Sequence, residues 1–259
     1  MSGNREQSEV RAELMLPWQL RAAIAGRPVA YIPLGTIEWH CEHLPVGLDA
    51  LTAHGLCLTA AKADGGIVLP PLHFGTGGGH GSYPWTVMMD TDQEIGAVLA
   101  KSLARLEAFG VRLAVIFSGH FAGPQLAMID RVAADFNRQG RPLRVLATAV
   151  NRAEGLSMPP DHAGVFETTL LFALHPDLVQ LNRLPSLADA PLAISDDWED
   201  GRHDPKHPIW GVVGPDPRAF DRQRAQPLAA AAVAWLVAQV RRELSGATKA
   251  NTDQGRRTV

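Results

Sequence analysis

Cysteine is scarce in this chain of 259 residues: it occurs at positions 41 and 57, which excludes a framework of disulfides. Basic residues are not in excess either, because the formal net charge is −3, and this argues against a nucleic-acid-binding surface. No apolar run reaches the length that a membrane span requires. With 46% hydrophobic and 20% charged residues, the composition is typical of a globular protein.

The two ends of the chain are polar. Residues 1–13 contain acids and lack the apolar stretch of a secretory signal, so we expect a cytoplasmic protein whose thiols stay reduced. Residues 245–259 have no hydrophobic periodicity, and we expect a disordered tail there. The length suits one domain, which we place at residues 1–244.

Short apolar runs alternate with longer segments of helical periodicity. Strands are expected at residues 29–34, 67–72, 113–117 and 143–150, and helices at 51–63, 91–109, 124–138, 166–174 and 227–244. This alternation predicts βαβ units and a parallel sheet with helices on both faces. Ligands of such α/β sheets bind beyond the carboxyl ends of the strands, where several of the chain's ten histidines fall.

Residues 35–49 follow the first predicted strand and contain Glu38, His40 and Asp49. Glu38 and His40 share one side if strand geometry continues to them. Asp49 precedes the next helix and is expected at its N-cap, where the helix dipole favours a carboxylate. This mixture of nitrogen and oxygen ligands suits Zn, Mn or Fe(II), although Asp49 would equally serve as an ordinary cap.

Two further segments add histidines and acids. His120 follows the strand at 113–117, between glycines that let the backbone approach an ion, although a histidine bonded to the turn alone would fit there too. His162 follows Asp161 and precedes Glu167 at the start of a helix, and an acid beside a histidine favours acid–base chemistry. No cysteine has ligand-like spacing, so an open catalytic site fits better than a closed structural zinc site.

Together the three segments resemble the signatures of the creatininase family of metal-dependent amidohydrolases, over about residues 16–244. The signatures are Gly-x-x-Glu-x-His followed by His-Leu-Pro and Asp, then a glycine-rich histidine loop, then His-Ala-Gly-x-x-Glu-Thr; they match residues 35–49, 118–124 and 162–168. The resemblance implies a three-layer α/β/α sandwich with a mainly parallel central sheet, two divalent metal ions per chain and, commonly, a homohexamer.

The resemblance also implies a ligand set for these ions. Glu38 and His120 would bind one metal, His40 would bind the other, and Asp49 would bridge them. Creatininase takes a further ligand from a glutamate where this chain has an alanine, and family members with the glycine-type loop are expected to use the glutamate of the third signature, which is Glu167 here.

The activity implied is hydrolysis of a small cyclic or linear amide by a metal-bridging hydroxide. His162, assisted by Asp161, would transfer a proton to the leaving nitrogen. A tryptophan that serves creatinine recognition in creatininase is replaced here by Met-Pro-Pro at residues 158–160, so we expect a substrate other than creatinine. His80, in a glycine-rich loop, and Cys41, where the family usually has glycine, are expected to contact this small molecule.

Two alternatives stay open at this point. Family relatives are associated with formamide hydrolysis and with ring opening of a cyclic polyol ketone, so the chain could be a hydrolase of either kind. A non-catalytic metabolite binder on the same fold is the alternative from another class of protein. Substituted ligands would favour such a binder, but all five expected ligands are intact.

Overall fold

A computed structural model describes residues 9–78, 83–89, 91–191 and 203–256 of the chain. The strands are β1 (Val29–Leu34), β2 (Ile67–Val68), β3 (Gly75–Thr76), β4 (Met88–Met89), β5 (Leu113–Ser118) and β6 (Arg144–Ala149). Four of them form a parallel sheet in the order β2-β1-β5-β6, and β3 pairs with β4, also in parallel, in a second sheet.

Helices cover both faces of the four-stranded sheet. They are α1 (Pro17–Gly26), α2 (Leu48–Asp64), α3 (Gln93–Ala108), α4 (Gly123–Arg138), α5 (Val165–Leu174) and α6 (Ala225–Arg256). Helices α2, α5 and α6 pack together on one face, and α3 packs with α4 on the other. This arrangement confirms the predicted α/β sandwich with a mainly parallel sheet.

The alternation of side chains along β1 explains why helices cover both faces. Val29 and Tyr31 belong to the core that α2, α5 and α6 complete, whereas Ala30, Ile32 and Leu34 belong to the core on the side of α3 and α4. All five are buried. A strand that is buried on both sides has a continuous apolar sequence, which is the pattern from which these strands were predicted.

Three element boundaries differ from the predictions by three residues or more. Strand β2 ends at Val68, because Pro70 and Pro71 have no N–H group for the ladder. Helix α2 begins at Leu48, so Asp49 lies in its first turn and Gly47 takes the N-cap. Helix α6 reaches Arg256, where we expected a disordered tail; alanine, lysine and glutamine in this stretch favour helix, and its two glycines, Gly246 and Gly255, cost only about 1 kcal/mol each.

The order of the strands places two functional segments side by side. Strands β1 and β5 are neighbours, and the backbone N–H of Gly119, just after β5, donates to the carbonyl of Leu34 at the end of β1, 2.8 Å away. Segments 35–49 and 119–122 therefore leave the same edge of the sheet. Among the described residues, no helix is both long enough and apolar enough to cross a membrane.

Candidate metal centre

Five predicted metal ligands meet at this edge of the sheet, and all five are buried. Their ligand atoms fall into two groups whose members lie within 4.8 Å of one another: Glu38, Asp49 and His120 in one, and His40, Asp49 and Glu167 in the other. A third group joins His162 to Glu38 and His40. The structure thus brings together the residues that the sequence predicted as ligands, with Asp49 shared by the first two groups.

Two glycines allow the first turn of α2 to dock against the sheet edge. A Cβ atom on Gly35 would lie 2.1 Å from the backbone nitrogen of Ala50, and one on Gly119 would lie 2.0 Å from the carbonyl oxygen of Asp49. Side chains at either position would push α2 away from β1 and β5. The absence of these side chains is what lets the carboxylate of Asp49 reach both histidines.

The ring of His120 is oriented by backbone on one side and by acids on the other. Its Nε2 donates a hydrogen bond to the carbonyl of Gly77, 3.1 Å away. Its Nδ1 lies 2.9 Å from Oε2 of Glu38 and 3.3 Å from Oδ2 of Asp49. A histidine ligand of a metal commonly donates its other N–H to a carbonyl in this way, so Nδ1 is the atom placed to face an ion.

The ring of His40 has the opposite orientation. Its Nδ1 donates to the backbone carbonyl of Glu38, 2.9 Å away. Its Nε2 lies 3.2 Å from Oδ1 of Asp49 and 3.6 Å from Oε2 of Glu167. The buried Nε2 of His40 and Oδ2 of Asp49 nevertheless have no hydrogen bond of acceptable geometry. Atoms that converge without pairing suit a cation between them, so this donor set fits a metal ion.

Buried charges of opposite sign perturb one another at this site. Burial disfavours the charged form of His40, but the carboxylates of Asp49, Glu167 and Glu38 outweigh it and raise its pKa to about 10. Burial also opposes ionisation of Asp49, yet His40 and His120 hold the pKa of this carboxyl below its ordinary value. Burial raises the pKa of Glu167 well above the usual range. Without metal ions, only His40 and His120 are placed to balance the negative charge of the three buried carboxylates.

Gln125 is a residue that the sequence analysis missed. Its buried side chain donates from Nε2 to Oγ of Ser118 at 2.9 Å and accepts at Oε1 from the backbone nitrogen of Thr76 at 2.9 Å. The Ser118 hydroxyl in turn donates to the carbonyl of His120. This network ties β3 to the turn that carries a metal ligand. The one indication in the sequence was that a polar residue, Gln125, lies in the first turn of α4, next to the segment of His120.

We expect Gln125→Ala to lower the free energy of unfolding by about 1–3 kcal/mol, because two buried polar groups lose their partner. Metal affinity should fall by about 10- to 100-fold, as for other groups that orient a ligand. Urea unfolding and competition with a chromophoric chelator measure the two effects. The exposed Gln139→Ala is the matched control, and equal behaviour of the two variants would contradict the assignment.

Asp161 and His162 do not share one task. The Asp161 carboxylate accepts hydrogen bonds from the backbone nitrogens of Gly164, Phe166 and Glu167 at 2.8–3.2 Å, so it fixes the start of α5. These contacts favour a role for Asp161 in positioning Glu167 over the assistance to His162 in proton transfer that we expected of it. His162 donates from Nε2 to the carbonyl of Trp39, 3.0 Å away, and its ring centroid lies 4.5 Å from that of His40.

The two predicted substrate contacts have different outcomes. Cys41 packs among apolar side chains that include Leu44, Leu48 and Ile209, and it does not line the cavity at the metal centre. This packing does not support the predicted contact with the substrate, which stays a prediction. Its φ of 56° lies in the left-handed region, which glycine adopts more readily than cysteine. His80 lies outside the described residues.

A cavity of about 500 Å³ opens above the ligands. Glu38, Asp49, His120, His162 and Glu167 are among its lining residues. A buried set of carboxylates and imidazoles at the carboxyl edge of a parallel sheet, open to a cavity, is the arrangement of a catalytic metal site. Fold and site together define the class of protein, which is a metal-dependent hydrolase with an α/β sandwich fold.

Comparison with known proteins gives the family. The family model for creatininase, described as creatinine amidohydrolase, matches residues 14–240. The chain therefore belongs to the creatininase family, and it is a metal-dependent hydrolase of C–N bonds.

Individual relatives agree with this family. A creatinine amidohydrolase from Pseudomonas putida is 31% identical over 183 residues, which cover 62% of this chain and 69% of the relative. A mycofactocin precursor peptide peptidase from Mycolicibacterium smegmatis is 28% identical over 178 residues, covering 64% and 66%. A crystal structure of creatinine amidohydrolase has the same fold, with a TM-score of 0.71, 24% identity, and coverage of 91% of this chain and 98% of the other.

Proposed function

We propose that the chain hydrolyses amide bonds with two divalent metal ions that share Asp49. The observation that carries this proposal is the membership of Asp49 in two groups of converging ligand atoms. Glu38 and His120 complete the first group, and His40 and Glu167 complete the second. Two groups with one carboxylate in common are what a pair of neighbouring ions requires.

The donor set accepts several metals. Carboxylates and imidazoles bind Zn, Mn and Fe(II), and availability often decides among them. Two crystal structures of creatininase with the same fold, each 22% identical with a TM-score of 0.70, are described as Zn-Zn type and as Mn. They support zinc and manganese as the first metals to test.

Metal ions and side chains would have different roles in amide hydrolysis. Divalent ions at this site supply Lewis acidity, which lowers the pKa of water and polarises a carbonyl group. His162 lines the cavity, and its hydrogen bond to Trp39 fixes the ring beside His40, so we assign to it the proton transfer to the leaving nitrogen. Asp161 holds the start of α5 and thereby the carboxylate of Glu167.

The substrate we propose is an amide other than creatinine. Ala122 stands beside the ligand His120, where creatininase has a glutamate, and no tryptophan is found among the described residues that line the cavity. The relative named as a peptide peptidase supports the inclusion of linear amides among the candidates. Ring opening of a cyclic polyol ketone stays as the second hydrolytic candidate.

Metal analysis and a substrate panel test the proposal. We expect about two divalent ions per chain, loss of activity with a chelator, and recovery with Zn or Mn. The panel contains lactams, formamides, linear N-acyl amides and cyclic polyol ketones. Full activity of metal-free protein would contradict the proposal. Turnover of polyol ketones alone would favour ring opening, and binding without any turnover would favour a metabolite binder.

We further propose that the chain forms a homo-oligomer, a hexamer by analogy with the family. Large apolar side chains at the surface support association: Trp18, Phe74 and Trp85 are 57–75% exposed. Light scattering coupled to size-exclusion chromatography gives the mass directly, and a monomer would contradict the proposal. A cytoplasmic location and a single domain over residues 1–244 stay predictions.

A further inference from the structure

The cavity at the metal centre has a polar floor and an apolar wall. The floor consists of four of the proposed metal ligands together with His162; the four are Glu38, Asp49, His120 and Glu167. The wall is formed by Phe121, Ala122, Pro159, Pro160, Val213 and Pro215. Three of these six residues are prolines, whose fixed φ makes the wall rigid.

The wall belongs to the same segments as the catalytic residues. Phe121 and Ala122 directly follow the ligand His120 in the turn between β5 and α4. Val213 is hydrogen-bonded to His162 in both directions, at 2.8 and 2.9 Å between backbone atoms. These apolar side chains therefore lie next to the residues that would anchor a ligand at the floor.

A charge on a ligand substituent would find no partner among the described residues of the wall. None of the six wall side chains carries a charge or a hydrogen-bonding group, and the described residues lining the cavity include neither lysine nor arginine. Asp161 also lines the cavity, but its carboxylate accepts hydrogen bonds from backbone N–H groups at the start of α5. Moving a carboxylate from water against this wall would cost its hydration without compensation.

The cavity also has room next to the ligands. Ala122 contributes a methyl group beside His120, and a Cβ atom on the adjacent Gly123 would have no neighbour within 4 Å. A cavity of about 500 Å³ accommodates a ligand much larger than a single five-membered ring.

We propose that this site selects amides whose substituent is uncharged, apolar and several carbons long, with Phe121 and Val213 as specificity-determining residues. This assignment rests on the proposed amide hydrolysis, since it names the substrate class of the same site. Apolar contact along the wall replaces the charged and hydrogen-bonding contacts by which a small polar ring would be held.

Hydroxamic acids test the wall without any need for turnover, because they chelate the metals at the floor and extend one substituent outward. With the Zn- or Mn-loaded protein, we expect the dissociation constants of aceto-, butyro- and hexanohydroxamic acid to fall about fourfold for each methylene that is buried. Succinic monohydroxamic acid, which ends in a carboxylate, should bind at least about tenfold more weakly than butyrohydroxamic acid. Calorimetry measures all four constants. Affinity that does not change with chain length, or equal affinity for the charged ligand, would overturn the proposal.

Substitutions of wall residues test whether the wall causes the dependence of affinity on chain length. Phe121→Ala and Val213→Glu should each flatten the dependence on chain length while metal content stays unchanged. Val98→Glu, a charge on an exposed valine of α3, is the control and should leave the dependence intact. If Phe121→Ala and Val213→Glu both retain the full dependence, the assignment to this wall is wrong.

Measurements of amide hydrolysis distinguish a failure of this inference from a failure of the proposed function. Chain-length preference in hydroxamate binding without hydrolysis of any lactam, formamide or linear amide of the panel would contradict the proposed function and support the wall. Hydrolysis of linear amides with the same kcat/KM for short, long and charged acyl groups would support the proposed function and contradict the wall.

Discussion

Gly119→Ala should lower the free energy of unfolding by about 3 kcal/mol or more and should abolish metal binding. The new Cβ atom would lie 2.0 Å from the carbonyl oxygen of Asp49, and both groups belong to backbone that cannot rotate away. The first turn of α2 would have to leave the sheet edge and carry its carboxylate out of reach of His40 and His120. Urea unfolding and metal analysis of the purified variant measure the two effects.

Gly96→Ala is the matched control for this substitution. Gly96 lies within α3, where the nearest atom to an added Cβ is Cγ2 of Val132 at an ordinary 3.7 Å. Alanine there should raise the free energy of unfolding by about 0.5–1 kcal/mol, because it favours helix. Native stability and normal metal content in Gly119→Ala would show that α2 is not fixed by this close approach.

Asp49→Ala should remove the metal ions and lower the rate of amide hydrolysis by at least about a thousandfold. The carboxylate of Asp49 lies within 3.3 Å of both His40 and His120, so its loss takes one ligand from each of the two converging groups. Elemental analysis should find far less metal than in the unaltered protein, and the active substrate of the panel supplies the rate.

Glu94→Ala controls for the loss of an acid in the first turn of a helix. Glu94 occupies the first turn of α3, is exposed, and accepts a hydrogen bond from the hydroxyl of Thr91. Its removal should change stability by about 0.5 kcal/mol and leave the metal content as it is. An Asp49→Ala protein that keeps its metals and its activity would contradict the role of Asp49 as the shared ligand.

The sequence predicted the sheet and the segments that meet at its edge because both depend on local pattern, and the resemblance to the creatininase family implied the ligand set within these segments. Strands β1 and β5 are continuous apolar runs, which a strand buried on two faces requires. The ligands come directly after these runs or at the start of a helix, and the carboxyl ends of parallel strands share one edge. Position relative to an apolar run therefore indicated which acids and histidines would meet.

What the sequence did not reveal depends on contacts across the chain. Gln125 bonds to Thr76, 49 residues away, and nothing near Gln125 in the sequence indicates this partner. Cys41 is next to a ligand in sequence, yet its backbone is left-handed and its side chain packs in an apolar cluster. Asp161 precedes a histidine, which suggested an acid that assists catalysis, but its carboxylate accepts hydrogen bonds from three backbone N–H groups at the start of α5.

The wide spacing of the ligands along the chain makes the metals part of the folding equilibrium. Glu38, His120 and Glu167 come from segments that only the assembled sheet and α5 bring together, so the unfolded chain cannot offer the same site. An ion that binds the native state alone adds RT ln(1 + [M]/Kd) to its stability, about 2.7 kcal/mol at a hundred times Kd. The unfolding temperature of this protein is consequently a property of the protein and its metal concentration together.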